Sequence, residues 1–321
     1  MKDRYNRTID YMRISITDRC NLRCRYCMPE GCAKVPMSEI LTLEEIVKIC
    51  RAAAALGIHK IRLTGGEPLV RHGCNQLVRD LKQTEGISQV TLTTNGQALS
   101  SCFEELRSAG LDGINISLDT LDEERYRYLT GGGSLDRTLQ AIGLCVAAGI
   151  PTRLNSLILK AFNEDEILSL AAFAFERGID LRFIELMPIG IADPSLGVPN
   201  ERVLQTLLTR WPALEKDSRR HGNGPAVYYC RPGERFGIGL ISAMHHSFCQ
   251  SCNRLRLTSR GQLKPCLCYD EGIDLKPLLK GPEEALQAAI KEAICLKPPG
   301  HCFTEQRFGS REPRLMSQIG G

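Results

Sequence analysis

The stretch YMRISITDRCNLRCRYC, residues 11–27, begins as an alternating β-strand and ends in three cysteines with the spacing CxxxCxxC. Thiolates placed this closely are typical ligands for zinc or for an iron–sulfur cluster. Three donors on one loop suit three corners of a four-iron cubane and leave one iron open to a small molecule. A structural zinc site needs a fourth donor, and Cys32 is the only spare thiol nearby. The pattern therefore favours an iron–sulfur cluster on Cys20, Cys24 and Cys27.

Composition limits the class of protein. The chain has 321 residues, 43% of them hydrophobic, and a formal net charge of +4, so it can bury a large core but lacks the basic character of a nucleic-acid binder. No apolar run of about eighteen residues occurs, and residues 1–10 have no apolar signal segment, so we expect no membrane partner. The 15 cysteines, an odd number in a large chain, favour reduced thiols and a cytoplasmic protein.

Strands and helices alternate over the first half of the chain. The predicted strands are residues 11–17, 58–64, 89–95, 113–119, 151–159 and 180–186. The predicted helices are residues 43–57 with Thr42 as N-cap, 73–84, 100–109, helical sequence up to Gly149 that is interrupted at 131–133, and a segment from 163. Six such units require parallel strands, in a β/α barrel or in an open doubly wound sheet.

Polar residues mark the carboxyl ends of these strands, where both kinds of sheet place their chemistry. They are the cysteine loop, Gly65-Gly66-Glu67, Thr93-Thr94-Asn95, Ser117 with Asp119, and Glu185 with Met187.

The alternation stops after Met187, where Pro and Gly become frequent and a short helix is expected near 200–210. The later segment FCQSCNRLRLTSRGQLKPC, residues 248–266, contains a second set of three cysteines, followed by an amphipathic helix over 282–295. We expect one domain over residues 1–190 and a smaller region over 191–321. Cys249, Cys252 and Cys266 are the candidate metal ligands of that region.

Tyr26 before the third cysteine, together with GGEP at the end of the second strand, gives the chain a resemblance to the radical S-adenosylmethionine superfamily. The resemblance implies an α/β fold, an incomplete (βα)6 TIM-type barrel with a smaller C-terminal region that carries a second iron–sulfur cluster. It also implies a 4Fe-4S cluster whose open iron binds S-adenosylmethionine, which reduction cleaves to a 5′-deoxyadenosyl radical. The residues implied to contact this cofactor are Tyr26, Gly66, Ser117 and Met187.

Further segments resemble the branch of the superfamily that catalyses the first step of molybdenum cofactor biosynthesis. They are IRLTGGEPLVR (61–71), TTNG (93–96), NISLDTLD (115–122), FIELMP (183–188), the second cysteine set and the terminal Gly-Gly. This resemblance implies a lyase acting on GTP, with a second 4Fe-4S cluster that binds the guanine. The radical would take the C3′ hydrogen, and C3′ would then attack C8 to give 3′,8-cyclo-7,8-dihydroguanosine triphosphate.

The same resemblance assigns substrate contacts to Arg13, Arg62, Thr93, Arg153, Arg254 and Arg256. Guanidinium groups suit the phosphates of GTP because they pair with two oxygens at once. Arg254 and Arg256 alternate with leucines, so on a strand both would face the same way. Arg153 stands where the family pattern has lysine. The terminal Gly320 and Gly321 are implied to reach the active site and assist catalysis.

The implied partners are an electron donor of the flavodoxin or ferredoxin type and a downstream cyclic pyranopterin monophosphate synthase. Whether the chain forms a homodimer is left open. Two other functions compete with this interpretation. One is a different radical enzyme with an auxiliary cluster, such as a peptide-modifying one, against which the RLR pair and the Gly-Gly end count. The other is a non-enzymatic iron–sulfur or zinc protein, which would not need GGEP.

The remaining cysteines have simpler interpretations. Cys50, Cys102 and Cys145 lie in helical segments and are expected to act as small hydrophobic side chains. Cys32 and Cys268 flank ligand positions, but the spacing of the family favours Cys27 and Cys266.

Overall fold

A computed structural model of the chain describes residues 1–31, 35–219, 221–245, 248–303 and 312–320. Its strands belong to one sheet. They are β1 (Tyr11–Ser15), β2 (Lys60–Thr64), β3 (Gln89–Thr94), β4 (Gly113–Ser117), β5 (Thr152–Leu157), β6 (Asp180–Ile184), β7 (Glu215–Asp217), β8 (Val227–Cys230), β9 (Gly237–Ile241), β10 (Arg254–Leu257), β11 (Gln262–Lys264) and β12 (Ile273–Asp274).

The order of the strands in the sheet is β12-β11-β10-β1-β2-β3-β4-β5-β6-β9-β8-β7. Strands β1 to β6 are parallel neighbours in chain order, which confirms the predicted six-unit incomplete barrel. Strands β10 and β9 extend this parallel set at its two ends, beside β1 and β6. In the part of the chain that the structure describes, the two outer strands β12 and β7 do not pair with each other, so the barrel stays open.

Helices cover the outside of the barrel and pack against one another in sequence order, α1 with α2, α2 with α3 and α6 with α7. They are α1 (Leu43–Ala54), α2 (Cys74–Gln83), α3 (Leu99–Ser108), α4 (Glu123–Thr130), α5 (Leu135–Ala147), α6 (Ile167–Glu176), α7 (Asn200–Arg210), α8 (Glu283–Cys295) and α9 (Met316–Ile319). Helix α1 begins with a capping box between Thr42 and Glu45, which confirms the predicted N-cap.

The faces of the strands differ in chemistry because side chains alternate along a strand. Met12 and Ile14 of β1, and Ile61 and Leu63 of β2, are fully buried in the apolar core beneath the helices. The intervening residues are polar and face the barrel interior. The interior of this barrel is therefore a polar site enclosed by an apolar shell.

The sheet is continuous across residue 190, because β9 and β10 pair with β6 and β1. The domain boundary expected at that residue stays a prediction. No helix among the described residues is long and apolar enough to cross a membrane.

Candidate functional site

One chamber occupies the barrel and contains about 1930 Å³ of space between its lining atoms, solvent at its mouth included. Its lining includes two separate groups of three cysteines, so it offers positions for more than one bound group. Most predicted site residues line it: Arg13, Cys20, Cys24, Tyr26, Cys27, Arg62, Gly66, Thr93, Ser117, Met187, Cys249, Cys252, Arg254, Arg256 and Cys266. The structure thus brings together both cysteine sets, which are 222 residues or more apart in the chain.

The first cysteine set lies on the loop after β1. The backbone N–H of Cys27 donates to the carbonyl of Cys24 at 2.9 Å, which closes a tight turn between these two thiols. Two N–H groups point at the sulfur of Cys20, from Leu22 at 3.4 Å and from Asn95 at 3.8 Å. Donors of this kind stabilise a sulfur that carries negative charge, as in a cluster ligand.

The electrostatics of this loop also fit a bound cluster. Burial raises the pKa of Cys24 well above its usual range, and the negative charges of Asp119, Cys27 and Cys20 raise it further. Three crowded thiolates therefore need a positive counter-charge to ionise together. Iron ions supply that charge and deprotonate coordinating thiols.

The GGEP segment packs directly on the cysteine loop. A Cβ on Gly66 would lie 2.4 Å from the carbonyl oxygen of Arg19, and one on Gly65 would lie 2.4 Å from that of Thr17. The absence of a side chain at Gly66 is therefore already required by close backbone packing, besides the expected approach of a cofactor. Glu67 is buried and accepts hydrogen bonds from Asn95 N–H at 2.7 Å and from the Thr94 hydroxyl at 2.8 Å.

Glu67→Gln is expected to flatten the pH dependence of stability between pH 4.5 and about 7. Burial raises the pKa of Glu67 from 4.5 to about 7, although hydrogen bonds from Asn95 and Thr94 oppose the shift. The folded chain then holds this proton more tightly than the unfolded chain does, so stability is lost as pH rises through about 7, by up to about 3 kcal/mol. Urea unfolding of the cluster-free protein at pH 5 and pH 7.5 measures the change.

The exposed residue Glu104, on α3, provides the control, because Glu104→Gln should leave the pH dependence as in the unaltered protein. Equal pH slopes for the unaltered protein and Glu67→Gln would contradict the assignment.

The remaining predicted cofactor contacts lie around the first cysteine set. Tyr26 donates from its hydroxyl to Asp119 at 2.8 Å, so its ring is fixed against the end of β4. Ser117 ends β4, and Met187 follows β6, at the same rim as the cysteine loop. All three line the chamber on the carboxyl-terminal side of the strands, as expected for parallel β/α folds.

The second cysteine set lies on the segment before β10 and on the turn after β11. Burial raises the pKa of Cys252, but the positive charges of Arg254 and Lys297 outweigh that effect and lower it to about 6. Burial raises the pKa of Cys266, and the charges of Cys252 and Cys249 add to the rise, so the three thiols share one location. This donor set suits a second cluster, since thiolates are soft ligands for iron.

Arginines from neighbouring parallel strands form a row inside the barrel. The register aligns Arg256 with Arg13 and Arg13 with Arg62, so the three side chains stand at one level. Burial, together with the charges of neighbouring arginines, lowers the pKa of Arg13 to about 9 and that of Arg256 to about 10. Such crowding of cations costs free energy, which a bound polyanion would recover.

Arg182 is a further buried arginine of the barrel interior and was missed by the sequence analysis. It is buried on β6, lines the chamber, and donates to the Asn115 side chain at 2.5 Å. Its Nε, the hydroxyl of Tyr11 and Oδ1 of Asn155 are buried without a hydrogen-bond partner among the described residues. Unsatisfied polar atoms facing a cavity indicate a polar ligand. The alternation in DLRFI, which places Arg182 between buried apolar residues, was a usable signal.

Thr93 and Arg153 have different surroundings. Thr93 lines the chamber and accepts from Asn115 Nδ2 at 3.4 Å. Arg153 is not among the residues that line the chamber. Its Nε donates to the His221 carbonyl at 2.7 Å and lies 3.5 Å from Asp180 Oδ2, near the start of β5 and β6. The charge of Arg153 also contributes to lowering the pKa of Arg62 and Arg182, so it lies near the arginines of the chamber, and its substrate contact stays a prediction.

The tail enters the barrel beside β1. Gly320 is buried with φ of +78°, and its carbonyl accepts a hydrogen bond from Arg256. Lys264 forms a buried ion pair with Glu312, which anchors the start of this segment. Met316 and Ser317 line the chamber. Gly321, predicted together with Gly320 to assist catalysis, lies outside the described residues.

Comparisons with known proteins identify the family of the chain. The profile of the Radical SAM superfamily matches residues 14–174, and that of Molybdenum Cofactor Synthesis C matches residues 179–303. The chain is 48% identical to the GTP 3′,8-cyclase of Moorella thermoacetica and 46% identical to that of Pelotomaculum thermopropionicum, in each case over 100% of both chains. A GTP 3′,8-cyclase of Clostridium perfringens is 42% identical, again over 100% of both chains.

Solved structures show the same fold at low identity. The structure of Streptococcus suis SuiB superposes with a TM-score of 0.63 at 17% identity, over 96% of this chain and 77% of that one. SuiB bound to S-adenosylmethionine gives a TM-score of 0.62 at 17% identity, over 85% of this chain and 65% of the SuiB chain. Both results support the barrel fold alone. The full-length similarities show that the chain belongs to the radical SAM superfamily and, within it, to the family of the GTP 3′,8-cyclases.

Proposed function

We propose that this chain is a GTP 3′,8-cyclase that joins C3′ and C8 of GTP to give 3′,8-cyclo-7,8-dihydroguanosine triphosphate, the first step of molybdenum cofactor biosynthesis. The observation that carries the proposal is the single chamber lined by both cysteine sets and by the row of buried arginines. The names of the full-length relatives favour this function over that of a peptide-modifying radical enzyme.

Cys20, Cys24 and Cys27 hold the first 4Fe-4S cluster in this proposal. When bound there and reduced, the cluster and S-adenosylmethionine supply one-electron chemistry that removes a hydrogen atom from an unreactive carbon. Tyr26, Gly66, Ser117 and Met187 orient the cofactor at the rim. The apolar shell and the packed cysteine loop keep water and stray hydrogen donors away from the reacting carbon.

Cys249, Cys252 and Cys266 hold a second 4Fe-4S cluster and leave one iron for the guanine. Arg13, Arg62, Arg254 and Arg256 bind the nucleotide together with Thr93, and Arg182 adds a further buried cation to the chamber. The fit rests on charge, since several arginines at one level match the negative charges of a triphosphate. Binding the nucleotide between the two cluster sites also determines which of its hydrogen atoms lies next to the cofactor.

The partners of the reaction are proposed from the surface around the first cysteine set. Arg19, Arg23 and Arg25 are exposed on that loop, which suits an acidic one-electron carrier of the flavodoxin or ferredoxin type. The product would pass to a cyclic pyranopterin monophosphate synthase, and the chain could act as a monomer or a homodimer. A cytoplasmic location is supported by the many cysteines, since the described residues contain no disulfide.

Product analysis with purified protein tests the function. The anaerobically reconstituted chain is incubated with dithionite, S-adenosylmethionine and each of the four nucleoside triphosphates. Of the four nucleotides, only GTP is expected to give 5′-deoxyadenosine and a cyclised nucleotide. The reconstituted protein is expected to contain about eight iron atoms per chain. Cyclisation of another nucleotide, or no nucleotide product in the presence of intact clusters, would overturn the proposal. Reactions without S-adenosylmethionine provide the control.

A further inference from the structure

Two cysteines outside the predicted ligand sets lie in direct contact. The sulfur atoms of Cys268 and Cys302 are 3.1 Å apart, and the backbone N–H of Cys302 donates to the sulfur of Cys268 at 3.3 Å. Both residues are buried, with exposed fractions of 2% and 7%. The two side chains therefore already point at each other, and a disulfide bond of about 2.05 Å requires an approach of only about 1 Å.

The segments that carry these cysteines are held together by other contacts. Lys297 Nζ donates to the Pro265 carbonyl at 2.8 Å, and the Tyr269 hydroxyl donates to the Gly300 carbonyl at 3.1 Å. Arg7 adds a hydrogen bond to the Pro298 carbonyl at 2.7 Å. Because these contacts do not depend on the two sulfurs, the pair can change its bonding without separating the segments.

We propose that Cys268 and Cys302 form an oxidation site, a buried dithiol that small hydroperoxides convert to a reversible disulfide. One thiol is oxidised to a sulfenic acid while the peroxide O–O bond breaks and water is released. The second thiol then displaces the hydroxyl of that sulfenic acid as water and forms the S–S bond. Two thiols lose two electrons and two protons, and one hydrogen peroxide becomes two waters. The proposal does not depend on the substrate assigned above.

Access to the pair favours small oxidants. Cys268 lines the chamber, so peroxide can reach its sulfur from inside the barrel. Both sulfurs are buried, so a large disulfide reagent cannot approach them closely enough to react. A small peroxide can enter where glutathione disulfide cannot.

The position of the pair suggests what the oxidation protects. Cys268 is two residues from Cys266, a proposed ligand of the second cluster. If oxygen removed that cluster, Cys268 could pair wrongly with Cys266 and block rebuilding. Pairing with Cys302 instead leaves the three ligand thiols available.

Peptide mapping of the full-length reconstituted chain tests the oxidation site. The protein is treated with hydrogen peroxide, alkylated, digested and analysed by mass spectrometry before and after dithiothreitol. We expect one cross-linked pair of peptides through Cys268 and Cys302, lighter by two hydrogen atoms than the separate peptides and lost on reduction. Glutathione disulfide should leave the pair unlinked.

Two serine variants sharpen the test. Cys302→Ser should lose the cross-link and recover less iron after a cycle of peroxide treatment and reconstitution. Cys295→Ser, the matched control on α8, should keep both properties. Alkylated Cys268 and Cys302 in peroxide-treated protein, or a link from Cys268 to Cys266 in the unaltered chain, would overturn the proposal. A changed electron paramagnetic resonance spectrum of the second cluster in Cys268→Ser would also overturn it, since Cys268 would then be a ligand.

Discussion

Replacing Cys24 with serine is expected to abolish cyclisation, by at least about 1,000-fold, and to lower the iron content from about eight to about four atoms per chain. Burial raises the pKa of Cys24, and the negative charges of Asp119, Cys27 and Cys20 raise it further, so its thiol needs the metal to ionise. A serine hydroxyl is a hard and weakly acidic donor that cannot replace a thiolate on iron. Iron analysis and product analysis on the same sample measure both effects.

A matched variant at the second cysteine set separates the two proposed clusters. Cys252→Ser should also reduce iron to about four atoms per chain, yet it should still cleave S-adenosylmethionine when dithionite is present. Cys32→Ser, at a position outside the described residues, should retain all the iron. Cleavage of S-adenosylmethionine by the Cys24→Ser protein would show that the first set does not hold the cofactor cluster.

The six barrel strands and the placement of their polar residues could be predicted because both are local properties. A strand alternates its two faces, so the sequence around Arg13 and Arg62 already separates inward polar residues from outward apolar ones. Parallel strands also end at one rim, so the sequence alone indicated that Ser117 and Met187 would lie near the first cysteine set. Their functional roles stay predictions.

The two outer parallel strands could not be predicted, since their pairing joins distant parts of the chain. Tyr11 pairs with Arg254, and no local pattern indicates such a partner. Two glycines also made β9 hard to predict from the sequence. A Cβ on Gly237 would lie 2.4 Å from the Cys230 sulfur, and one on Gly239 would lie 2.9 Å from the Tyr228 ring. Tertiary packing therefore requires glycine in a strand that, judged by propensity, reads as a turn.

Long-range partners also determine the environment of Arg153, whose contact with the substrate stays a prediction. The resemblance placed it with the other arginines of the nucleotide site. Its register partner on β6 is Asp180, a carboxylate, and the loop containing His221 supplies a carbonyl acceptor. A charged side chain follows its nearest partners, and these were not visible in the sequence around residue 153.

Removing Gly320 and Gly321 is expected to slow cyclisation by about 100-fold or more, equivalent to about 2.7 kcal/mol in the barrier, with both clusters retained. The Gly320 carbonyl accepts from Arg256, whose neighbour in the register is Arg13. Deletion removes that acceptor and leaves a new terminal carboxylate at Ile319, which would draw the guanidinium out of its row. Iron content and cleavage of S-adenosylmethionine serve as controls for the fold and the first cluster.

Gly320→Ala tests the same contact without shortening the chain. At φ of +78° an alanine is strained by about 1–2 kcal/mol, and its Cβ would lie 2.8 Å from the Thr64 hydroxyl. The tail must therefore shift, and the Gly320 carbonyl must move relative to Arg256. We expect a large decrease in kcat for cyclisation and little change in iron content.

Gly300→Ala is the matched control, because a Cβ there meets no atom of the described residues within 4 Å, and its activity should stay within about twofold of the unaltered chain. If Gly320→Ala were as active as Gly300→Ala, the position of the tail beside Arg256 would have no part in the reaction. If Gly320→Ala lost activity together with iron, the tail would act by supporting the fold. The third outcome is loss of cyclisation while the protein keeps its full iron content and still cleaves S-adenosylmethionine. Only this outcome assigns the tail to the step that follows cofactor cleavage, because that step alone depends on how Arg256 holds the nucleotide.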